Sequence, residues 1–239
     1  MLSHLLEIRQ RALIILMVFA VFFILFFFMA GDLFLAVVQP LISALPDGDS
    51  LIATQITSPV LTPVSLAANV AMLCTTPVAL FHLWRFIAPG LYHNERHKLR
   101  GVIGISLVLF GMGVAFCFYL VLPFMFQFFA KAVPSGVKMM PDMTNAVEFI
   151  TRMLLLFGLC FQVPLICLAL VRLGWTDVIF LRQIRPYIIV AAFTLGMLLT
   201  PPDVLSQIML ALPLCSLYEF GILLAVWKGI AITSAEKLT

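Results

Sequence analysis

Polar residues in this chain come in short clusters, and apolar residues come in long runs. The runs fall at about 12–31, 66–84, 102–124, 149–171, 187–200 and 204–226. An α-helix needs about 20 residues to cross roughly 30 Å of hydrocarbon. A helix also satisfies its own backbone hydrogen bonds in lipid, and the period-two alternation of a membrane barrel is absent. The pattern predicts an all-α polytopic membrane protein with six transmembrane helices in one membrane domain, residues 1–239. The last two spans are weak. Tyr187 to Thr200 makes only about 20 Å of helix at 1.5 Å per residue. The Pro201-Pro202-Asp203 break then turns the chain straight back. A hairpin this short either thins the bilayer or leans on neighbouring helices.

Composition agrees: 63% of the residues are hydrophobic and 10% charged, where soluble domains carry about 25% charged residues. The few bases set an orientation. With the N-terminus inside, Arg9, Arg11, Arg85, Arg96, Lys98, Arg100, Arg172, Arg182, Arg185, Lys228 and Lys237 all fall on the cytoplasmic side. Lys131 and Lys138 remain outside, and Arg152 stands near the outer start of the fourth span. The positive-inside rule therefore predicts that both termini are cytoplasmic. The first apolar run is too long for a signal-peptide core and ends in no A-x-A-like site, so it is expected to stay as a span. Pro40, Pro46, Pro59 and Pro63 make residues 32–65 a stiff outer cap. Pro141-Asp142 marks a turn in the second outer loop, 125–148. Five cysteines, all within apolar spans and without metal-ligand spacing, read as small buried hydrophobes.

Enzyme chemistry finds little to work with. His93 and His97 share a helical face, but Glu95 is rotated about 200° from His93 and no third ligand stands near, so no metal is expected. Phosphate-cradling glycine motifs and a G-x-S-x-G elbow are missing, and no cofactor is expected. The bases are explained by topology, which leaves nucleic-acid binding without support. The most polar run is "WRFIAPGLYHNERHKLR", residues 84–100, where Glu95 stands alone among Arg85, Arg96, Lys98 and Arg100. One reading is a Glu95–Lys98 surface pair. The other is a carboxylate on a partly apolar face with Leu91 and Leu99, suited to a peptide that brings both a cation and apolar side chains. Glu7, in "SHLLEIRQR", lies on the same side and is spaced to support its helix through Arg11. Within the spans Gln162 is the most deeply placed polar group, Asp203 opens the sixth span, and Glu219 lies in "SLYEFGIL". Intramembrane polar groups of this kind are functional-site candidates.

Three segments in order, "SHLLEIRQR", "FHLWRFIAPGLYHNERHKLR" and "LTPPDVLSQIMLALP…YE", resemble the TatC family of the twin-arginine protein translocase. The resemblance covers nearly the whole chain. It implies a six-helix, cup-shaped bundle in the bacterial cytoplasmic (inner) membrane that recognises twin-arginine signal peptides of folded precursors. It further implies assembly with single-span partners of the TatA/TatB type and with further copies of itself, and export driven by the proton-motive force. The family's arginine-reading glutamate falls on Glu95 and its motif aromatic on Phe86. The N-terminal signature falls on Glu7 and Arg9, the outer-loop proline on Pro40, and the TPPD aspartate on Asp203. Partner-helix contacts fall on Gln162, Met197 and Thr200. Many relatives carry glutamate where this chain has Gln162, and an amide cannot be ionised. The alternative class is a secondary transporter of a small solute, with which intramembrane polar groups and a broken hairpin are compatible.

Overall fold

In the computed structural model, residues 2–45, 50–91, 96–134, 137–199 and 204–236 are described, with side chains for 6–45, 50–86, 101–134, 137–198, 204 and 207–227. Ten α-helices cover most of these residues. They are α1 (Leu2–Phe28), α2 (Ala30–Ile42), α3 (Ser58–Leu91), α4 (Arg96–Phe116), α5 (Leu122–Ala132), α6 (Met143–Cys160), α7 (Val163–Arg172), α8 (Val178–Gln183), α9 (Arg185–Leu199) and α10 (Val204–Glu236). A single π-helical turn, Cys117–Val121, joins α4 to α5.

Among the described residues, five helical segments are long and apolar enough to cross a membrane: Leu6–Phe28, Ser58–Phe86, Gly101–Ala132, Met143–Arg172 and Gln207–Trp227. The expected fifth span of six is the short apolar helix Arg185–Leu198, about 20 Å long at 1.5 Å per residue. Several boundaries differ from the sequence expectation. The helix expected to start near residue 66 starts at Ser58, because Pro59 sits in a first turn where its missing N–H costs no helical bond. The stretch expected as a proline-stiffened outer loop contains α2, and Pro40 stands inside that helix, buried. Pro40 falls two residues before the helix end and has no N–H to give the Ala36 carbonyl, so α2 forgoes that one ladder bond. The third span runs on to Ala132 because the π turn widens the ladder just ahead of Pro123: Leu122 N–H donates to Cys117 C=O.

The chain packs as two compact units. One comprises Met1–Phe86 and Val114–Leu156, the other Ile87–Gly113 and Phe157–Thr239. In the first, α2 packs on α5 and touches α1. Two distant loops are tied there by a single parallel bridge between Ile52 and Asp142. Ile52 N–H donates to Pro141 C=O at 3.0 Å, and Met143 N–H donates to Ile52 C=O at 2.9 Å. Asp142 is the knot. Its Oδ1 accepts from the backbone N–H groups of Thr144 and Asn145, capping α6, and its Oδ2 accepts from both the hydroxyl (2.6 Å) and the N–H (3.1 Å) of Thr54. The Thr54 hydroxyl, then the Asn145 and Thr54 amides, hold the carboxyl down to about 2.

In the second unit α10 packs along α7 and α9, with α8 at its side. Cys167, Leu181, Tyr218 and Ile222 form a buried cluster there. Between α4 and the end of α6 the backbones approach closely: a Cβ on Gly113 would lie 2.6 Å from Phe157 O. Small residues at such contacts let membrane helices pack by van der Waals attraction where no hydrophobic effect drives them together. Helix α7 ends in a Schellman motif. Gly174 takes φ +69°, its N–H donates to Val171 C=O, and Trp175 N–H donates to Leu170 C=O.

Candidate functional site

The best-defined polar constellation lies where α1 meets α3, and Arg11 is its centre. Three turns into α1, the Arg11 guanidinium ion-pairs with Glu7, one turn earlier on the same face. Its other amino group donates to the backbone carbonyl of His82 at 2.6 Å. The guanidinium carbon sits 5.7 Å from the centre of the Phe86 ring, within cation–π range. His82 and Phe86 are one helical turn apart on α3, so one arginine grips both the wall of that helix and its aromatic. Glu7 Oε2 makes no hydrogen bond among the described residues, and the Glu7 side chain is 46% exposed. A carboxylate of this kind can accept a further guanidinium through its free lone pairs. Phe86 is 42% exposed and offers an aromatic surface beside it. Arg9 is exposed on α1. Leu91 ends α3 and Leu99 lies in α4, with side chains outside the described set. Glu95 lies outside the described residues.

A second polar pair is fully buried. Gln162 is 3% exposed and Ser106 1%. The Ser106 hydroxyl donates to Gln162 Oε1 at 2.6 Å, and Gln162 Nε2 donates to Ser106 C=O at 3.0 Å. Gln162 occupies the two-residue turn between α6 and α7 that Pro164 enforces, since a proline cannot continue the ladder from α6. Both ends of the amide are thus satisfied within the chain, which is what a polar group at this depth requires.

Glu219 on α10 ion-pairs with Arg185 at the start of α9, 2.6 Å apart, each side chain nearly half exposed. Met197 is 55% exposed on α9. Thr200 and Asp203 lie outside the described residues. Sequence reasoning missed three contacts. Arg11 was seen only as a helix partner of Glu7, and its hold on Phe86 arises from tertiary structure. Ser106 carried a signal, being a lone hydroxyl in an apolar span. Arg185 was explained by topology, and nothing in the spacing of residues 185 and 219 announces their pairing.

Long apolar helices, few charges and polar groups paired within the helices define a polytopic all-α membrane protein. The family model described as Sec-independent protein translocase protein (TatC) matches residues 3–213, and the chain belongs to that family. The TatC protein of Haemophilus influenzae is 41% identical over 225 residues, 94% of this chain and 88% of its own length. That of Escherichia coli K12 is 39% identical, covering 93% and 86% respectively. TatCy of Bacillus subtilis is 34% identical, covering 94% and 88%. A crystal structure of a twin-arginine translocase receptor, TatC, superposes with a TM-score of 0.86 at 28% identity, covering 94% of this chain and 98% of that one. These comparisons lend the solute-transporter alternative no support.

Proposed function

We propose that this protein is the core receptor of a twin-arginine translocase in the bacterial cytoplasmic membrane, built as one membrane domain of six spans in a cup-shaped bundle with both termini in the cytoplasm. It binds the signal peptides of folded precursors at its cytoplasmic face and assembles with single-span partners, and with further copies of itself, for export driven by the proton-motive force. Glu95 takes one arginine of the peptide and Glu7 the second, while Phe86, Leu91 and Leu99 meet its apolar side chains; Arg9 keeps the N-terminal segment at the membrane surface. Planar guanidinium groups fit carboxylates bidentately where lysine offers only a point charge, which is the physical basis of an Arg-Arg requirement. Gln162, Met197, Thr200, Asp203 and Glu219 are the positions for partner helices or for intramembrane polar packing, and Pro40 stiffens the outer segment.

The observation that carries this reading, beyond family membership, is the Arg11 cluster. It joins the N-terminal acid Glu7 to Phe86, the two ends of the surface on which the peptide would lie. Affinity of a fluorescent signal peptide for the protein in nanodiscs tests it. Glu95→Gln is expected to abolish binding while membrane insertion is retained, and the Lys-Lys peptide is expected to bind far more weakly than the Arg-Arg peptide. Equal binding by Glu95→Gln would sink the assignment.

A further inference from the structure

A cavity of about 300 Å³ opens between α7, α9 and α10. Its walls are apolar: Val163 and Cys167 from α7, Ile188, Ala192 and Leu195 from α9, and Leu214 from α10. The one hydroxyl at its edge, on Tyr218, already donates to Leu181 C=O at 2.7 Å. Water has no partner in such a cavity, so it stays dry and suits an apolar occupant.

One end of the cavity is marked by Leu170, Leu181 and Ile184, and basic residues gather at that end. Arg172 follows Leu170 by two residues, Arg182 follows Leu181, and Arg185 follows Ile184. Among the described residues the acids near this end are Glu219, already paired with Arg185, and Asp177 before α8. Arg182 is exposed, and no hydrogen bond or ion pair engages it among the described residues. Trp175 and Tyr187, each 75% exposed, flank the same end, as aromatic residues do at the headgroup level of a bilayer. Helix α9 is short, about 22 Å for its 15 residues, so its charged start lies within reach of headgroups drawn inward by local thinning.

We propose that this groove is a binding site for an anionic phospholipid. One acyl chain fills the cavity, and the phosphate is held at the arginine end, chiefly by Arg182. An anionic headgroup is favoured over a zwitterionic one because the arginine end disfavours an ammonium, while the exposed Arg182 can hold a phosphate by paired N–H donors. Met197 points about 200° around α9 from Leu195, so a partner helix on that face leaves the groove free. The site stands whether or not the receptor reading does.

The test uses the full chain in phosphatidylcholine nanodiscs doped with a photoactivatable-tail lipid, either phosphatidylglycerol or phosphatidylcholine, with adducts mapped by mass spectrometry. Phosphatidylglycerol is expected to label α7, α9 and α10 groove residues well above phosphatidylcholine. Arg182→Gln should lower that excess about fivefold, the factor one basic residue supplies at an anionic surface. Ala192→Phe, which fills the groove, should remove the groove adducts while those on α1 persist; Ile188→Trp serves the same purpose if the first variant does not insert. Equal labelling by the two lipids, groove adducts that survive filling, or a groove labelled by neither lipid because a polypeptide occupies it would each overturn the proposal.

Discussion

The guanidinium of Arg11 touches three neighbours at once: a carboxylate, a backbone carbonyl and an aromatic face. Lysine at that position keeps the charge but has neither the fork nor the flat face. Arg11→Lys should therefore release Phe86 and weaken signal-peptide binding by two- to fivefold, the worth of an exposed cation–π contact of ~0.5–1 kcal/mol. Fluorescence anisotropy with a labelled peptide measures it, and unchanged affinity would count against a role for the cluster. Asp142 makes a pH prediction. Its carboxyl, bonded by Thr54 and the Asn145 amide, is held at about 2, below its ordinary 3.8. A depressed carboxyl stabilises the fold fully above the ordinary value, and the contribution is lost as pH falls through the folded one. The clamp between Thr54 and α6 should thus hold down to about pH 4 and loosen between there and about pH 2. The carboxyl carbon shift of Asp142 should titrate near 2, and a midpoint at its ordinary value would show that the clamp does not form.

Among the helices, the contact between α4 and α6 is the most sharply specified. Gly113 has no room for a methyl group, with Phe157 O at 2.6 Å from an added Cβ, while Gly101 on the same helix has nothing within 4 Å. Gly113→Ala should cost about 1–3 kcal/mol from overpacking. Gly101→Ala should be neutral or slightly stabilising, since alanine is the better helix former. Thermal unfolding of the two variants in detergent compares them directly; equal melting temperatures would mean the helices are not that close. Helices are also where the sequence was read well in kind and poorly in extent. Apolar runs announced every long span, because burial in lipid demands an unbroken stretch. They could not announce α2 within 32–65, where Asp32, Gln39 and Pro40 disguise a half-buried helix. Nor could they place the start of α3, since Pro59, allowed in a first turn, looks like a loop residue.

Across the full chain, the family was legible because three polar segments keep their order and spacing around the apolar runs. The class of protein was legible for a simpler reason: with one residue in ten charged, no other environment than a bilayer accommodates the surface. Pairings between distant residues were not legible. Gln162 and Ser106, Glu219 and Arg185, and Asp142 and Thr54 are 56, 34 and 88 positions apart. Each needed the fold before either partner could be assigned. Recognition of paired arginines by the basic loop around Glu95 is decided by site-specific photo-crosslinking in native membranes. A photoreactive residue placed beside Glu95 should capture a precursor signal peptide carrying Arg-Arg strongly and its Lys-Lys version weakly. Equal capture of the two, or capture of neither, would return Glu95 to a surface ion pair and remove the receptor site from this loop.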